Sequence, residues 1–192
     1  VVDPKEPKRV YRPAFSLSIS DDGGYSFTEA NSNGGWVHSD HHALWINPNN
    51  TTEMYLGTDG GVYRSLDKGY TWQHLNNIPV SQFYHVQVDN QTPYNVMGGL
   101  QDNGSWLSSS LSVGGIENKD WENVGGGDGF WVQPDGEDPD VVYAESQGGS
   151  MGRINRKYNM SQSIQPKQGP GDEELRFNWN TPIVRSFTNP KV

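Results

Sequence analysis

The chain has 192 residues and carries 14 basic against 23 acidic side chains, for a formal net charge of −9. This balance argues against a nucleic-acid partner, because phosphate binding needs clustered basic side chains. The chain has no cysteine, so no disulfide supports the fold, and no stretch is apolar enough to predict membrane insertion. The 23 glycines and a hydrophobic share of only 32% favour short strands joined by many turns.

An eight-residue pattern occurs twice, and its two copies begin 45 residues apart. The copies comprise Ser20, Asp22, Gly24, Ser26 and Phe27, and then Ser65, Asp67, Gly69, Thr71 and Trp72. An Asp side chain can bond the backbone of its own turn and Gly tolerates positive φ, so each copy predicts a turn with an aromatic ring packed beneath it. The pattern resembles the Asp-box, or BNR repeat, of β-propellers, and we predict that both copies are structural rather than catalytic.

A second marker, a polar residue followed by proline, recurs near the ends of the apolar runs. It occurs at Asp3-Pro4, Asn47-Pro48, Gln133-Pro134 and Asn189-Pro190. The first interval between prolines is 44 residues and the second is 86, or two repeats, whereas the last interval of 56 implies an insertion. Periods of roughly 40 to 50 residues with four short strands each are typical of propeller blades.

The best preserved repeat predicts four strands, which we label A to D from the innermost outwards: His42–Asn47, Glu53–Gly57, Gly61–Ser65 and Tyr70–Leu75. We therefore predict an all-β fold, a β-propeller built from four-stranded antiparallel blades with Asp-box turns. The repeats fall near 1–35, 36–78, 79–124 and 125–176, with a partial one at 177–192. We expect about four blade equivalents of a larger propeller; the alternative is a closed four-bladed ring.

The connections between strands divide the predicted polar residues between two faces. In a meander, alternate connections lie at opposite ends of a blade, so the B–C and D–A connections share one face, which we call the B–C/D–A face. The Asp-box turns are C–D connections and lie at the other face. The residues predicted to bind a ligand at the B–C/D–A face are Asp40, His42, Gln82, Tyr84, Gln101, Gln147, Trp179 and Asn180. The candidates for catalysis there are Asp59, Asp102 and Asp128.

These three aspartates allow two interpretations. Cleavage of a glycosidic bond needs two carboxyl groups roughly 5 to 10 Å apart, one of them with a raised pKa. However, Asp-Gly and Asp-Asn-Gly are also ordinary turn sequences in which the Asp caps its own turn. The run from His38 to His42 could add a metal ligand, but the sequence offers too few nitrogen or sulfur ligands for zinc and no tight oxygen cluster for calcium. We therefore predict neither a metal nor another cofactor.

Longer stretches resemble the prokaryotic sortilin-like, BNR-repeat proteins that are often labelled glycosyl hydrolases. The resemblance is carried by residues 40–48, 55–62, 98–106, 127–130, 143–147 and 176–182. It implies an extracytoplasmic propeller, either secreted, periplasmic or at the cell surface, and the absence of cysteine favours a prokaryotic source. Sortilins bind peptides inside the propeller channel, whereas xyloglucanase-type hydrolases use a catalytic Asp in a turn that resembles Thr58-Asp59-Gly60-Gly61. The arginine arrangement of sialidases is not apparent in this sequence.

The leading function predicted from the sequence is binding of a glycan or a peptide at the B–C/D–A face. One alternative is a glycoside hydrolase of the xyloglucanase or sialidase kind that uses two of the three aspartates. The other is a structural propeller segment within a larger assembly, in which the same face meets further blades or a partner protein.

Overall fold

The computed structural model of the protein describes residues 1–30, 37–78, 80–186 and 188–189. The chain forms two compact units, Val1–Val80 and Ser81–Val192, which we call the N-terminal and the C-terminal unit. Each unit holds two antiparallel sheets whose strands are neighbours in the order of the chain. The described residues form 15 strands and two short 3-10 turns, so the prediction of an all-β fold made of blade-like meanders is confirmed.

The N-terminal unit contains one three-stranded and one four-stranded sheet. The first consists of β1 (Val10–Arg12), β2 (Ser18–Ser20) and β3 (Thr28–Glu29). An isolated antiparallel bridge pairs Val2 with Val10 of β1, at the edge of this sheet where a strand A would lie. The second consists of β4 (His41–Ile46), β5 (Met54–Thr58), β6 (Gly61–Ser65) and β7 (Gln73–His74). Strands A to C of the second sheet lie within one residue of their predicted bounds, whereas strand D is shorter because the Asp-box turn extends to Trp72.

The C-terminal unit contains two four-stranded sheets. The first consists of β8 (Phe83–Val88), β9 (Asn95–Leu100), β10 (Gly104–Ser109) and β11 (Glu122–Gly125). The second consists of β12 (Gly129–Pro134), β13 (Val141–Ser146), β14 (Ser150–Asn155) and β15 (Met160–Ser163). The described residues after β15 form no strand, so the partial repeat at 177–192 stays a prediction. The repeat boundary predicted at 35–36 lies outside the described residues.

Each unit has its own apolar core, formed where alternate strand residues from its two sheets meet. The core of the N-terminal unit comprises Tyr11, Leu17, Ile46, Met54, Leu56, Tyr63 and Trp72. The core of the C-terminal unit comprises Met97, Leu107, Val124, Val132, Val142 and Ala144. Burial of such side chains contributes about 1.5–3 kcal/mol each relative to leaving them in water. No helix within the described ranges is long and apolar enough to cross a membrane.

A glycine contact in the C-terminal unit fixes where the polar connections lie. A Cβ atom on Gly99 in β9 would come within 2.0 Å of the carbonyl carbon of Gly129, so the backbones of β9 and β12 touch at a point that no side chain can enter. This contact holds the β9–β10 turn, a B–C connection, beside the D–A connection that ends at Asp128. The fold therefore places Asp102 and Asp128 next to each other at one end of the two sheets.

Candidate functional site

In the turn of the second pattern copy, the side chains of Ser65, Asp67 and Thr71 bond one another and the turn backbone. Asp67 accepts hydrogen bonds from the Ser65 hydroxyl at 2.8 Å and from the N–H and hydroxyl of Thr71 at 2.8 and 2.6 Å. The Gly69 N–H donates to Ser65 Oγ at 2.9 Å, and the buried Trp72 indole donates to the Gly69 carbonyl at 3.1 Å. Burial acts to raise the pKa of Asp67, but the hydrogen bonds from Thr71 and Ser65 together outweigh it and lower that pKa.

The first Asp-box turn repeats this arrangement at a more exposed position. Asp22 accepts hydrogen bonds from the Ser20 hydroxyl at 2.7 Å and from the Ser26 N–H and hydroxyl at 2.9 and 2.5 Å. These bonds, above all those from Ser26, hold the pKa of Asp22 well below its usual range. Gly24 donates its N–H to Ser20 Oγ at 2.9 Å, and the half-buried Phe27 follows the turn. In both turns, the side chains that a catalytic role would need are thus already hydrogen-bonded within the turn.

In the N-terminal unit, His42 and Asp59 form a pair. His42 Nε2 lies 2.5 Å from Asp59 Oδ1, and the imidazole is 67% exposed. Asp40 precedes β4 with a φ of 60°, and its carboxylate accepts a hydrogen bond from the Ser39 hydroxyl at 2.9 Å. The sequence predicted all three residues for the B–C/D–A face but did not predict that Asp59 would bond His42.

In the C-terminal unit, hydrogen bonds join three connections of the B–C/D–A face. Asp128, which is 7% exposed, accepts the Asp102 N–H on Oδ1 at 2.6 Å. The N–H of Asp128 donates to Gln147 Oε1 at 2.8 Å, which brings in the β13–β14 turn. Gln101, which directly precedes Asp102 in the sequence, and Gln82, which directly precedes β8, are both exposed. Asp102, Asp128 and Gln147 are therefore direct neighbours.

Tyr84 lies close to the two carboxylates of this cluster. It occupies a bulge in β8, and its ring packs against Phe130 with 4.4 Å between the ring centroids. Desolvation raises the pKa of the Tyr84 phenol, and the negative charges of Asp128 and Asp102 raise it further. Desolvation is the larger cause, and the two carboxylates act in the same direction.

Trp179 and Asn180 lie in a segment without strands that contacts the β13–β14 turn. Trp179 is 61% exposed, and its carbonyl accepts the Gly148 N–H at 3.1 Å. The Asn180 amide is engaged at both ends, because Oδ1 accepts the Trp131 indole N–H at 2.8 Å and Nδ2 lies 3.0 Å from His85 Nε2. Most of the Trp179 side chain is therefore exposed to solvent, whereas the Asn180 amide is bound within the protein.

Glu145 is a buried carboxylate that the sequence analysis did not select. It is 1% exposed, Oε1 accepts the Thr181 N–H at 3.1 Å, and Oε2 has no hydrogen-bond partner within the described part of the chain. Burial raises the pKa of Glu145, and the N–H groups of Thr181, Trp131 and Gly149 offset this only in part. The available signal was an acidic residue that directly follows the apolar run Val141–Ala144, at a position predicted to begin a B–C connection.

Two clefts open in the C-terminal unit, and one adjoins the B–C/D–A face. That cleft measures about 230 Å³, and its lining includes Gly125, Gly126, Ser146, Ser150 and Met151. The other, of about 180 Å³, is lined largely by the two A–B connections at the opposite end of the sheets. No three His, Asp or Glu side chains within the described ranges cluster closely enough to hold a metal ion.

No family model matches the sequence, and no curated protein matches it either. The chain is similar in structure to an ancestral GH74 enzyme, with a TM-score of 0.37 and 16% identity over 85% of this chain and 23% of that one. It is also similar to the GH74 xyloglucanase from Xanthomonas campestris, with a TM-score of 0.33 and 14% identity over 85% of this chain and 29% of the enzyme. A third similar structure is YCF48 from Cyanidioschyzon merolae, with a TM-score of 0.30, 13% identity, and 82% and 56% of the two chains covered. The chain spans less than a third of the length of these GH74 enzymes.

Proposed function

We propose that the B–C/D–A face of the C-terminal unit binds a neutral glycan. The observation that carries this proposal is the 61% exposed Trp179 beside a hydrogen-bonded cluster of acids and amides. Its backbone bonds Gly148, which directly follows Gln147, and Gln147 in turn bonds Asp128. Hydrogen bonds thus link the segment that carries the exposed indole to acid and amide groups of the kind that bind sugars.

The chemistry of these groups matches that of a pyranose. The apolar face of a sugar ring packs on an indole, which keeps most of its area available here. Carboxylates accept hydrogen bonds from sugar hydroxyls, and amides can both donate and accept them. The small residues that line the adjoining 230 Å³ cleft leave room for one or two sugar substituents.

The negative charge of the chain favours neutral sugars over acidic ones as ligands. The chain carries a net charge of −9, and Asp102 and Asp128 lie within the proposed site. A sialylated or uronic ligand would meet a repulsive potential at this surface. Peptide binding is a different proposal, and capture of random-sequence peptides by the chain would support it.

Hydrolysis of the glycan is a second candidate, which the position of Tyr84 favours. Both Asp102 and Asp128 raise the pKa of the Tyr84 phenol, so two carboxylates stand close to one hydroxyl. Against a general-acid role, Asp128 already holds the Asp102 N–H at 2.6 Å. Release of reducing ends from a bound oligosaccharide, abolished in both Asp102→Asn and Asp128→Asn, would decide for hydrolysis; no release by the unmodified protein would exclude it for that substrate.

The experiment is a binding screen of the unmodified chain against neutral β-linked oligosaccharides, with sialyllactose and random-sequence peptides for comparison. Trp179→Ala should weaken binding of any neutral sugar that is captured by about ten-fold, as expected for loss of one aromatic platform. Tyr158→Ala is the matched control, because Tyr158 is 65% exposed in the β14–β15 turn of the same unit. Equal losses in the two variants, or capture of peptides alone, would contradict glycan binding at this face.

An extracytoplasmic location, which the resemblance implies, belongs to the same proposal. A neutral polysaccharide is most accessible outside the cell, where a binding protein of this kind would meet it. Fractionation of the source cells should place the protein outside the cytoplasm; recovery from the cytoplasm alone would contradict this location.

A further inference from the structure

The segment that carries Trp179 is held to the C-terminal unit by contacts before and after this residue. The Trp179 carbonyl accepts the Gly148 N–H at 3.1 Å, and the Thr181 N–H donates to Glu145 at 3.1 Å. The Phe177 ring packs so closely on Gly149 that a Cβ atom there would come within 2.4 Å of Cδ1 of the ring. A stretch with no strand of its own therefore has a defined path across the β13–β14 turn.

The side chain of Asn180 bonds both sheets of the unit. His85 belongs to β8 in the first sheet, and Trp131 belongs to β12 in the second. The His85 and Trp131 rings stack with 3.9 Å between centroids and 20° between planes. The Asn180 amide spans this pair, bonding Trp131 through Oδ1 and His85 through Nδ2.

The donor and acceptor capacities of the three groups determine where each proton of this bridge lies. An indole N–H can only donate, so the amide oxygen must face Trp131. The amide nitrogen, which can only donate, then faces His85 Nε2, so Nε2 must accept. A neutral imidazole has one acceptor nitrogen, and His85 must therefore carry its proton on Nδ1.

We propose that Asn180 is a positioning residue that holds Trp179 at the B–C/D–A face by bridging His85 and Trp131. Rotation or loss of its amide breaks both bonds together, and the adjacent Trp179 then loses its fixed relation to Gly148. The role assigned to Trp179 rests on the proposed glycan site, but the bridge itself can be measured without any ligand. Asn180 thus acts on the ligand through Trp179 and not by direct contact.

The first test measures the exchange of the Gly148 amide hydrogen, which reports the bond to the Trp179 carbonyl. Asn180→Ala removes two side-chain hydrogen bonds and should raise this exchange rate by about ten-fold. Asn178→Ala is the matched control, because Asn178 is exposed two residues away and its side chain forms no hydrogen bond with the part of the chain that the structure describes. An unchanged rate in Asn180→Ala, or an equal rise in both variants, would overturn the proposal.

The second test uses ¹⁵N NMR to determine which ring nitrogen of His85 carries the proton, in the pH range where the imidazole is neutral. The unmodified chain should show the proton on Nδ1. Asn180→Asp keeps the shape of the side chain but can only accept, so Nε2 of His85 should now carry a proton while Gly148 stays protected. Finding Nε2 protonated in the unmodified chain, or the same ring state in both proteins, would contradict the bridge.

The two proposals fail in different ways. If no glycan binds but Asn180→Ala still releases Gly148, the glycan proposal fails and the positioning role stands. If Trp179→Ala abolishes glycan binding while Asn180→Ala leaves both binding and Gly148 exchange unchanged, the positioning role is refuted and the glycan site is retained.

Discussion

Replacing Asp67 tests whether the second Asp-box turn stabilises the N-terminal unit. Asp67→Ala deletes three hydrogen bonds, at 2.8, 2.8 and 2.6 Å, that a charged oxygen accepts from Ser65 and Thr71. Bonds to a charged group contribute about 1.5–3 kcal/mol each when buried, but water replaces part of this at a half-exposed turn, so we expect a total loss of about 2–4 kcal/mol. The turn carries Trp72 into the core, which couples the loss to the whole unit.

Native-state hydrogen exchange of β5 and β6 measures this loss directly, because their amides report opening of the N-terminal unit. Asp67→Ala should raise those exchange rates roughly 30- to 700-fold at about 1.4 kcal/mol per ten-fold change, and amides of the C-terminal unit serve as the internal control. Asp67→Asn retains one acceptor and should give an intermediate loss. Because the folded-state pKa of Asp67 is lowered, its contribution is present above the unfolded value of about 3.9 and disappears as the pH falls through the folded value. A change below about two-fold at neutral pH would refute this reasoning.

Two further predictions concern pKa values in the C-terminal unit. Burial raises the pKa of Glu145, so the contribution of this group to stability is complete below the unfolded value of about 4.3 and is lost as the pH rises through the folded value. Urea unfolding curves of Glu145→Gln should show a weaker decline of stability with pH. A decline as steep as that of the unmodified chain would contradict the assignment. The pKa of Tyr84 is raised by desolvation and by Asp128 and Asp102, so Asp128→Asn should lower it in an NMR titration of the Tyr84 ring carbon. A Tyr84 pKa that is the same or higher in that variant would show that the two groups do not interact.

The fold was predictable because its signals are local and repeated. The two Asp-box copies and the recurring prolines can each be recognised from a short segment of sequence. The strand bounds that they imply for β4, β5 and β6 were correct to within one residue. The exception, strand D, was predicted to start at Tyr70 because aromatic residues favour strands. In the structure, the hydrogen bonds of Asp67 keep these residues in the turn, so β7 begins only at Gln73.

The site was predictable only in part, because strand counting gives the face of a residue but not its partners. It predicted that Asp102, Asp128 and Gln147 lie in connections of one face, and the structure joins them by hydrogen bonds. It could not predict the pairing of His42 with Asp59, since that depends on the bulge in β4 between His41 and Ala43.

Residues inside strands were harder to recognise than residues in turns. His85 sits in an alternating strand where an exposed polar residue is ordinary, so nothing in the sequence marked its bond to Asn180, 95 positions away. Asn180 itself was predicted to contact a ligand, but both ends of its amide serve the bridge. Such roles depend on long-range packing, which has no local sequence signal.

An NMR titration of the labelled chain with a neutral β-linked oligosaccharide tests the central claim most directly. Glycan binding at the B–C/D–A face predicts that the Trp179 indole N–H and the backbone amides of Asp128 and Gln147 shift together and saturate with one affinity. Amides of the β14–β15 turn, at the opposite end of the second sheet of that unit, should stay in place. Shifts confined to that turn, or to the 180 Å³ cleft at the A–B connections, would contradict the account, as would no shift at millimolar sugar.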